Sequence, residues 1–388
     1  MRQTLRYMGV LMGALTIATA PAQIVYSFET EDLHGYAGSA TGGWEVFREG
    51  TIGVTHGSYS MGVWWPEGSG GFRWLLGNGV RDELLPYLQV SRKLLIDATA
   101  DVSVPWSNLI VAFNDEELGW RQTAYSFGLP RVPGTRTVLL DLESLPLPNP
   151  NNTEWFQMNL GLNAGDSHRI YFDQLRLYRS ECEMSAMDFT DTLHGFAPDP
   201  EDPGASVSLV DGKMRVELSD GFHWIFGGTV PGLAAMLRRG DLVVMDITVV
   251  SPPPQGWGNM IIAINSDAGW GQANYVAEVA AGNGTFTRTV ALDYRDATLP
   301  DSDTPEYCLL NLGFSSGGGM TIEIDNIRVY RKAVEGDVNC DGCVNDLDLL
   351  SVLFDFGSLG INPSDVNNDG TVNDLDLLIV LFNFGNGC

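Results

Sequence analysis

Two hydrophobic periodicities divide this chain. Up to about residue 332, apolar residues recur at every second place or in short unbroken runs. In "MTIEIDNIRVYR" (320–331), Ile322, Ile324, Ile327 and Val329 alternate with polar residues, with one shift of phase at Asp325-Asn326. "NLIVAFN" (108–114) and "NMIIAIN" (259–265) are unbroken apolar runs, as in a strand covered on both faces. "GSGG", "VPGT", "SPPPQG" and "SSGGG" punctuate these runs as turns. The pattern predicts a mainly β fold of antiparallel sandwiches of the jelly-roll kind. Beyond residue 332 the spacing becomes helical. Leu349, Leu350, Leu353 and Phe354 form one stripe, repeated at Leu377, Leu378, Leu381 and Phe382.

The strand-rich part is a duplication. "FETEDLHGY" (28–36) recurs as "FTDTLHGF" (189–196), and "GFRWLLG" (71–77) as "GFHWIFG" (221–227). "WSNLIVAFNDEELGWRQTAY" (106–125) recurs as "WGNMIIAINSDAGWGQANY" (257–275). "NLGL" (159–162) returns as "NLGF" (311–314), and "IYFDQLRLYR" (170–179) as "IEIDNIRVYR" (322–331). The order is kept and the offset is about 150–160 residues throughout. The expected organisation is a module at 24–180, a short link "SECEM" (180–184), a second module at 185–332 and a tail at 336–388.

The opening "F-E/T…L-x-G-F/Y" and the closing "I-D-N/Q-I/L-R-V/L-Y-R" of each copy resemble the first and last strands of carbohydrate-binding-module jelly rolls. The resemblance covers roughly residues 24–332. It implies that the closing Asp joins an acidic residue of the first strand on a structural calcium: Asp173 with Glu29, and Asp325 with Asp188 or Asp191. The alternative is a turn or edge carboxylate in solvent.

Sugar binding requires aromatic rings to stack on the apolar face of a pyranose, with amides or carboxylates for its hydroxyls. Trp120 and Gln122, and likewise Trp270 and Gln272, lie two apart, so on a strand they share a face. Tyr125 and Tyr275 are expected on the opposite face. Trp74 and Trp224 are duplicated too and offer a second platform, or belong to the core. His34/His194 and Asn114/Asn265 read as structural, the asparagines as turn caps.

Charge narrows the partners. With 22 Lys+Arg against 49 Asp+Glu the formal net charge is −27, which argues against nucleic acid and suits hard cations. The start, "MRQTLRYMGVLMGALTIATAPAQ", has Arg2 and Arg6, an apolar run Met8–Ile17 and small residues through Ala22. This is the plan of a secretory signal over residues 1–22, too short to span a bilayer. The protein is therefore expected to be extracellular or at the cell surface. Cys182, Cys308, Cys340, Cys343 and Cys388 are an odd set, which leaves at least one thiol unpaired within the chain.

The tail carries the densest chemistry. In "DVNCDGCVNDLD" (337–348), side-chain oxygens fall at places 1, 3 and 5 (Asp337, Asn339, Asp341). Gly342 permits the turn, Cys343 offers its backbone carbonyl, and Asn345 and Asp348 occupy places 9 and 12. "DVNNDGTVNDLD" (365–376) repeats this with Asp365, Asn367, Asp369, Thr371 through its backbone, Asn373 and Asp376. Both depart from an EF-hand in closing with Asp rather than Glu. The pair, each with a helix only on its C-terminal side, resembles dockerin domains over residues 336–388. That resemblance implies two calcium ions and a cohesin-like partner read at places 10 and 11. Those places hold Asp346-Leu347 and Asp374-Leu375 instead of the family's small hydroxyl pairs. Because dockerin ends lie together, it also implies a staple to Cys388 from Cys340 or Cys343.

Three functions follow from this reading. The first is a secreted, non-catalytic polysaccharide-binding protein attached to a complex or surface through a calcium-dependent dockerin. The second is a glycan hydrolase of such a complex, although no catalytic motif is found. The third is a structural surface or matrix protein whose sandwiches bind no sugar.

Overall fold

The computed structural model describes residues 24–39, 45–65, 72–77, 81–228, 230–281 and 284–388. The signal segment expected at residues 1–22 lies outside the described residues. The chain is mainly β: four antiparallel sheets, two per module, followed by a short helical region. In the first module one sheet runs Gly134–Asp141, Lys93–Ala100, His168–Leu177, Ser60–Trp65, Glu45–Glu49. The facing sheet runs Tyr36–Gly38, Arg73–Gly77, Phe156–Ala164, Ser107–Asp115, Arg121–Gln122. The second module repeats both orders, with Phe286–Asp293, Gly240–Ser251, Met320–Arg331, Lys213–Leu218, Ala205–Val210 in one sheet. Its other sheet runs Ala197–Pro198, Gly221–Phe226, Cys308–Ser316, Trp257–Ser266, Gly269–Gln272. The core of each sandwich is made by alternate residues, such as Leu109, Val111 and Phe113 against Met158, Leu160 and Leu162.

The modules meet along Gly134–Asp141 and Phe286–Asp293, each the edge strand of its sheet. The contact is reciprocal. Thr137 N–H donates to Asp293 Oδ2 at 2.9 Å, and Thr289 N–H donates to Asp141 Oδ2 at 2.6 Å. Edge amides that would template aggregation are thereby satisfied by carboxylates of the other module. Beside them Arg176 pairs with Asp97 at 3.1 Å, and Arg328 with Asp246 at 2.7 Å. Tyr275 Oη–H donates to Gly128 O, while Ser126 bonds Glu278 across the same boundary. Burial pushes the Glu278 carboxyl up to about 7.

Among the described residues there are four α-helices: α1 (Arg81–Val90), α2 (Leu233–Arg239), α3 (Asp346–Phe354) and α4 (Asp374–Phe382). α3 and α4 each begin with a capping box, Asn345 with Asp348 and Asn373 with Asp376. The stripe seen in the sequence does not face inward as a whole. Val352, Ile379 and Val380 are buried with Val338, Val344, Val366 and Val372, and Leu349 and Leu377 pack on them. Leu350, Leu353, Phe354 and their counterparts face out, because seven small aliphatic residues already fill so small an interior.

Cys343 pairs with Cys388, and Cys340 pairs with Cys182 in the link between modules. The C-terminal staple thus comes from Cys343, and Cys340 ties the tail to the sandwiches. Arg179 donates to Val338 O at 2.8 Å and Ile24 N–H to Asn368 Oδ1 at 3.0 Å across the same junction. Cys308 is free and buried, and burial pushes its thiol up to about 11. The disulfides are consistent with an extracellular protein. No helix among the described residues is long and apolar enough to cross a membrane.

Candidate functional site

The sheet containing Ser107–Asp115 turns one face to the core and the other outward. Alternation puts Asn108, Ile110, Ala112 and Asn114 outward, beside Gln157, Asn159, Gly161 and Asn163 of Phe156–Ala164. Trp74 lies opposite Gly161, and Gln122 opposite Ala112. A turn delivers Trp120 to this face. Asp115 Oδ1 accepts from Glu117 N–H and Leu118 N–H, and Gly119 closes the turn at φ 67°. Arg121 holds the same Asp115 through its other oxygen at 2.5 Å.

The two candidate platforms prove to be one. Trp74 and Trp120 meet edge to face, with centroids 4.7 Å apart and 87° between planes. Trp224 and Trp270 repeat this at 5.1 Å and 87°. Trp120 and Trp270 are 44% and 45% exposed, so each offers a ring to solvent while its partner braces it. Trp120 Nε1–H donates to Gln122 Oε1 at 3.2 Å, which fixes the indole against its amide neighbour. Glycine is required beneath the bracing ring. A Cβ on Gly161 would lie 2.6 Å from Ile110 Cγ2 and 3.0 Å from Trp74. A Cβ on Gly313 would lie 2.8–2.9 Å from Phe222, Ile261 and Trp224.

Amides surround these rings. Asn265 lies directly opposite Trp270, and Asn114 donates to Gln157 at 3.4 Å. Asn114 and Asn265 thus belong to the outward face, where sequence reading took them for turn caps. Asn159 and Asn311 are buried on it, each accepting from a glycine N–H (Gly77, Gly227) and each leaving its Nδ2 without a partner. Sequence reasoning missed these two asparagines, although the duplicated "NLG" motif marks them. It also passed over Trp106 and Trp257, duplicated and both exposed, at one end of the same strands. Phe222, exposed, extends the aromatic run in the second module only through its contact with Trp224 at 5.2 Å. The outward positions of Ser107–Asp115, Phe156–Ala164, Trp257–Ser266 and Cys308–Ser316 carry no Asp or Glu, and Glu278, opposite Asn259 in the neighbouring strand, is buried at the module boundary. Tyr125 and Tyr275 are buried on the other side, as expected, with hydroxyls donating to Asp141 O and Gly128 O.

Asp173 is fully buried and accepts from Thr55 N–H, Thr55 Oγ1–H, His56 N–H and Gln174 N–H. Glu29 accepts from Ser58 N–H and Tyr59 N–H, so the two acids grip one loop. Burial pushes Asp173 up to about 6. Asp325 accepts from Asn326 N–H and Asp188 from Thr190 N–H, each within its own turn.

In the tail, each loop folds its donors inward. Asp337 accepts from Asp341 N–H and Gly342 N–H, and Gly342 makes the turn at φ 90°. Asn339 and Asn345 both point at Asp341 Oδ2 (3.1 and 3.5 Å), and Asn345 also reaches Cys343 O at 3.1 Å. The second loop repeats this with Asn367 and Asn373 on Asp369 Oδ2 (3.0 and 3.3 Å) and Asn373 on Thr371 O. Asp365 likewise accepts from Asp369 N–H and Gly370 N–H. Asp348 accepts from Val338, Asn339 and Asn345 N–H, and Asp376 from Asn367 and Asn373 N–H. Among the described residues no three His, Cys, Asp or Glu side chains form a metal-holding group, and each loop offers instead a mixed set of carboxylate, amide and backbone oxygens.

That mixed set fits a hard cation. Asp337, Asp348, Asp365 and Asp376 are buried, yet residues 333–388 contain no Lys, Arg or His to offset them. Burial, with Asp348 and Asp341 nearby, pushes Asp337 up to about 6. Asp365 is raised for the same reason. Guanidinium groups from outside the tail reach the first loop, where Arg179 donates to Val338 O and Arg331 lies beside Gly342.

No family model and no curated protein matches the chain. Solved structures that overlap it include the tandem CBM22-1–CBM22-2 domain of Xyn10C from Paenibacillus barcinonensis, at 10% identity and TM-score 0.28. That overlap covers 82% of this chain and 99% of the other. A family 11 carbohydrate-binding module of Lic26A-Cel5E from Clostridium thermocellum overlaps 39% of this chain and 95% of its own, at 17% identity and TM-score 0.27. The Clostridium thermocellum family 11 module solved with a β-1,3-1,4-mixed-linked tetrasaccharide overlaps 38% and 95%, at 17% identity and TM-score 0.27.

Proposed function

We propose that this chain is a secreted, non-catalytic polysaccharide-binding protein built from two jelly-roll modules on a dockerin-like calcium connector. The observation that carries the binding reading is the duplicated edge-to-face pair, Trp74 with Trp120 and Trp224 with Trp270. Each pair leaves one indole about half exposed against a second ring, on a surface rich in amides and small residues. Pyranose rings stack on such faces, and side-chain amides serve their hydroxyls as donors and acceptors. Rigid aromatic contacts bind with little loss of side-chain entropy.

Hydrolysis would need two carboxylates across a cleft roughly 5–10 Å apart. The outward faces carry amides at those places, which favours binding over cleavage. A spacer without ligand would have no use for two exposed indoles braced in the same way.

In the tail, Asp337, Asn339, Asp341, the Cys343 carbonyl, Asn345 and Asp348 would hold one calcium ion. Asp365, Asn367, Asp369, the Thr371 carbonyl, Asn373 and Asp376 would hold the other. Bound calcium would offset the buried carboxylates of each loop and supply folding energy to a unit with a very small core. The repeated Asp346-Leu347 and Asp374-Leu375 pairs would then face a cohesin-like partner.

The sugar reading is tested by affinity electrophoresis through gels containing soluble mixed-linked β-glucan, xylan or hydroxyethyl cellulose. The chain is expected to be retarded by at least one of them. The double variant Trp120→Ala/Trp270→Ala should run as in a glycan-free gel, and equal retardation would remove the site.

A further inference from the structure

From Leu347 onward, eleven large apolar side chains are exposed, among them Phe354 at 84%, Leu359 at 78% and Phe382 at 72%. Leu350, Leu353 and Phe354 line the outward side of α3, and Leu378, Leu381 and Phe382 repeat them on α4. Apolar surface concentrated in this way marks an interaction site. The surroundings say what kind. Residues 333–388 carry no Lys, Arg or His, and of their ten Asp and Glu the four outside the calcium loops' ligand sets include Asp346 and Asp374, which stand exposed at the first turns of the two helices. A second copy of the chain would bring one acidic rim against another, each on a molecule of net charge −27. An anionic bilayer is repelled for the same reason. An acidic-rimmed protein face is no better matched.

We propose that the outward sides of α3 and α4 dock a protein domain whose own face is apolar at its centre and rimmed by Lys and Arg. This rests on the attachment reading above and adds the chemistry of the partner to it. The acidic residues supply steering and choice of partner, while the leucines and phenylalanines supply the buried centre.

The test immobilises recombinant cohesin-type domains in two sets, one with docking faces rimmed by Lys and Arg, the other by Asp and Glu. The full chain in millimolar CaCl2 is expected to be retained by the basic-rimmed set, with affinity falling about tenfold or more between 50 and 300 mM NaCl. Phe354→Ala/Phe382→Ala should lose that retention while melting as the parent does, since both rings lie in solvent. Asp346→Lys/Asp374→Lys should move preference toward the acidic-rimmed set. Retention of the parent by the acidic-rimmed set overturns the proposal and leaves attachment standing. Self-association, or sedimentation with phosphatidylcholine vesicles, overturns it if Phe354→Ala/Phe382→Ala abolishes it. Retention by neither set, with a melt indifferent to calcium, overturns attachment and this proposal together.

Discussion

Tyr178 and Tyr330 stack on one another, with ring centroids 4.8 Å apart and 25° between planes. They occupy the same place in the two copies, and a contact between equivalent residues is what a local two-fold relation between the modules produces. The reciprocal bonds Thr137 to Asp293 and Thr289 to Asp141 obey the same symmetry. An interface of this isologous kind is what two copies of one module would form as a dimer. In the single chain it joins the sandwiches into one body.

That interface should be worth measuring as stability. Asp293→Ala leaves the Thr137 N–H buried without an acceptor and removes the Arg295 pair at 2.6 Å. Loss of a buried charged acceptor costs about 1.5–3 kcal/mol. Urea denaturation should show a lower midpoint, with both modules still unfolding in one transition. A variant as stable as the parent would mean the contact contributes nothing.

Glu278 gives the interface a pH dependence. Its carboxyl is held up to about 7 by burial, against the opposing pull of the Ser126 bond and Arg288, whereas an unfolded chain releases that proton near 4.5. Between those values the folded state binds more protons than the unfolded one, so stability falls as pH rises from about 4.5 to 7 and levels off above. The loss amounts to a few kcal/mol at most. Glu278→Gln should flatten that part of the stability–pH curve, and an unchanged slope would show that Glu278 is not its source.

Gly161 lets Trp74 lie over the sheet. Gly161→Ala places a methyl 2.6 Å from Ile110 Cγ2, so the ring and its partner Trp120 must shift. Overpacking of this sort costs about 1–3 kcal/mol. Weaker glycan binding with a native far-UV spectrum is expected. Full affinity with a lowered melting temperature would show the ring pair to be structural only.

Calcium dependence is read on the whole chain. A transition belonging to residues 336–388 should move up by several degrees or more in millimolar CaCl2 and return in EGTA. Asp337→Ala/Asp365→Ala should abolish the shift. Indifference of the parent to EGTA would contradict the loops as calcium sites.

Much of this was legible in the sequence, and for identifiable reasons. Period-two runs and the offset blocks gave strands and duplication because each copy repeats the same inward residues. Spacing on a strand places Trp270 and Gln272 on one face, whereas Trp120 precedes its strand and a turn brings it beside Gln122. Trp74 and Trp224 were ambiguous, since a ring lying over Gly161 or Gly313 is apolar on one side and bracing on the other. Asn159 and Asn311 were missed because a buried amide within an apolar strand has no periodic signature. The module interface was invisible: Asp141 and Asp293 sit at strand ends and read as solvated until the other edge strand supplies its amides. The outward turn of the α3 stripe was hidden as well, because helical spacing does not say which of two apolar sides faces the core.

The most direct measurement is calorimetric titration of the full chain and of Trp120→Ala/Trp270→Ala with the soluble polysaccharide that most retards the parent. A sugar site on Trp120 and Trp270 predicts saturable binding by the parent and at least a hundredfold loss in the variant, with unchanged melting temperature. Undiminished binding by the variant would contradict it.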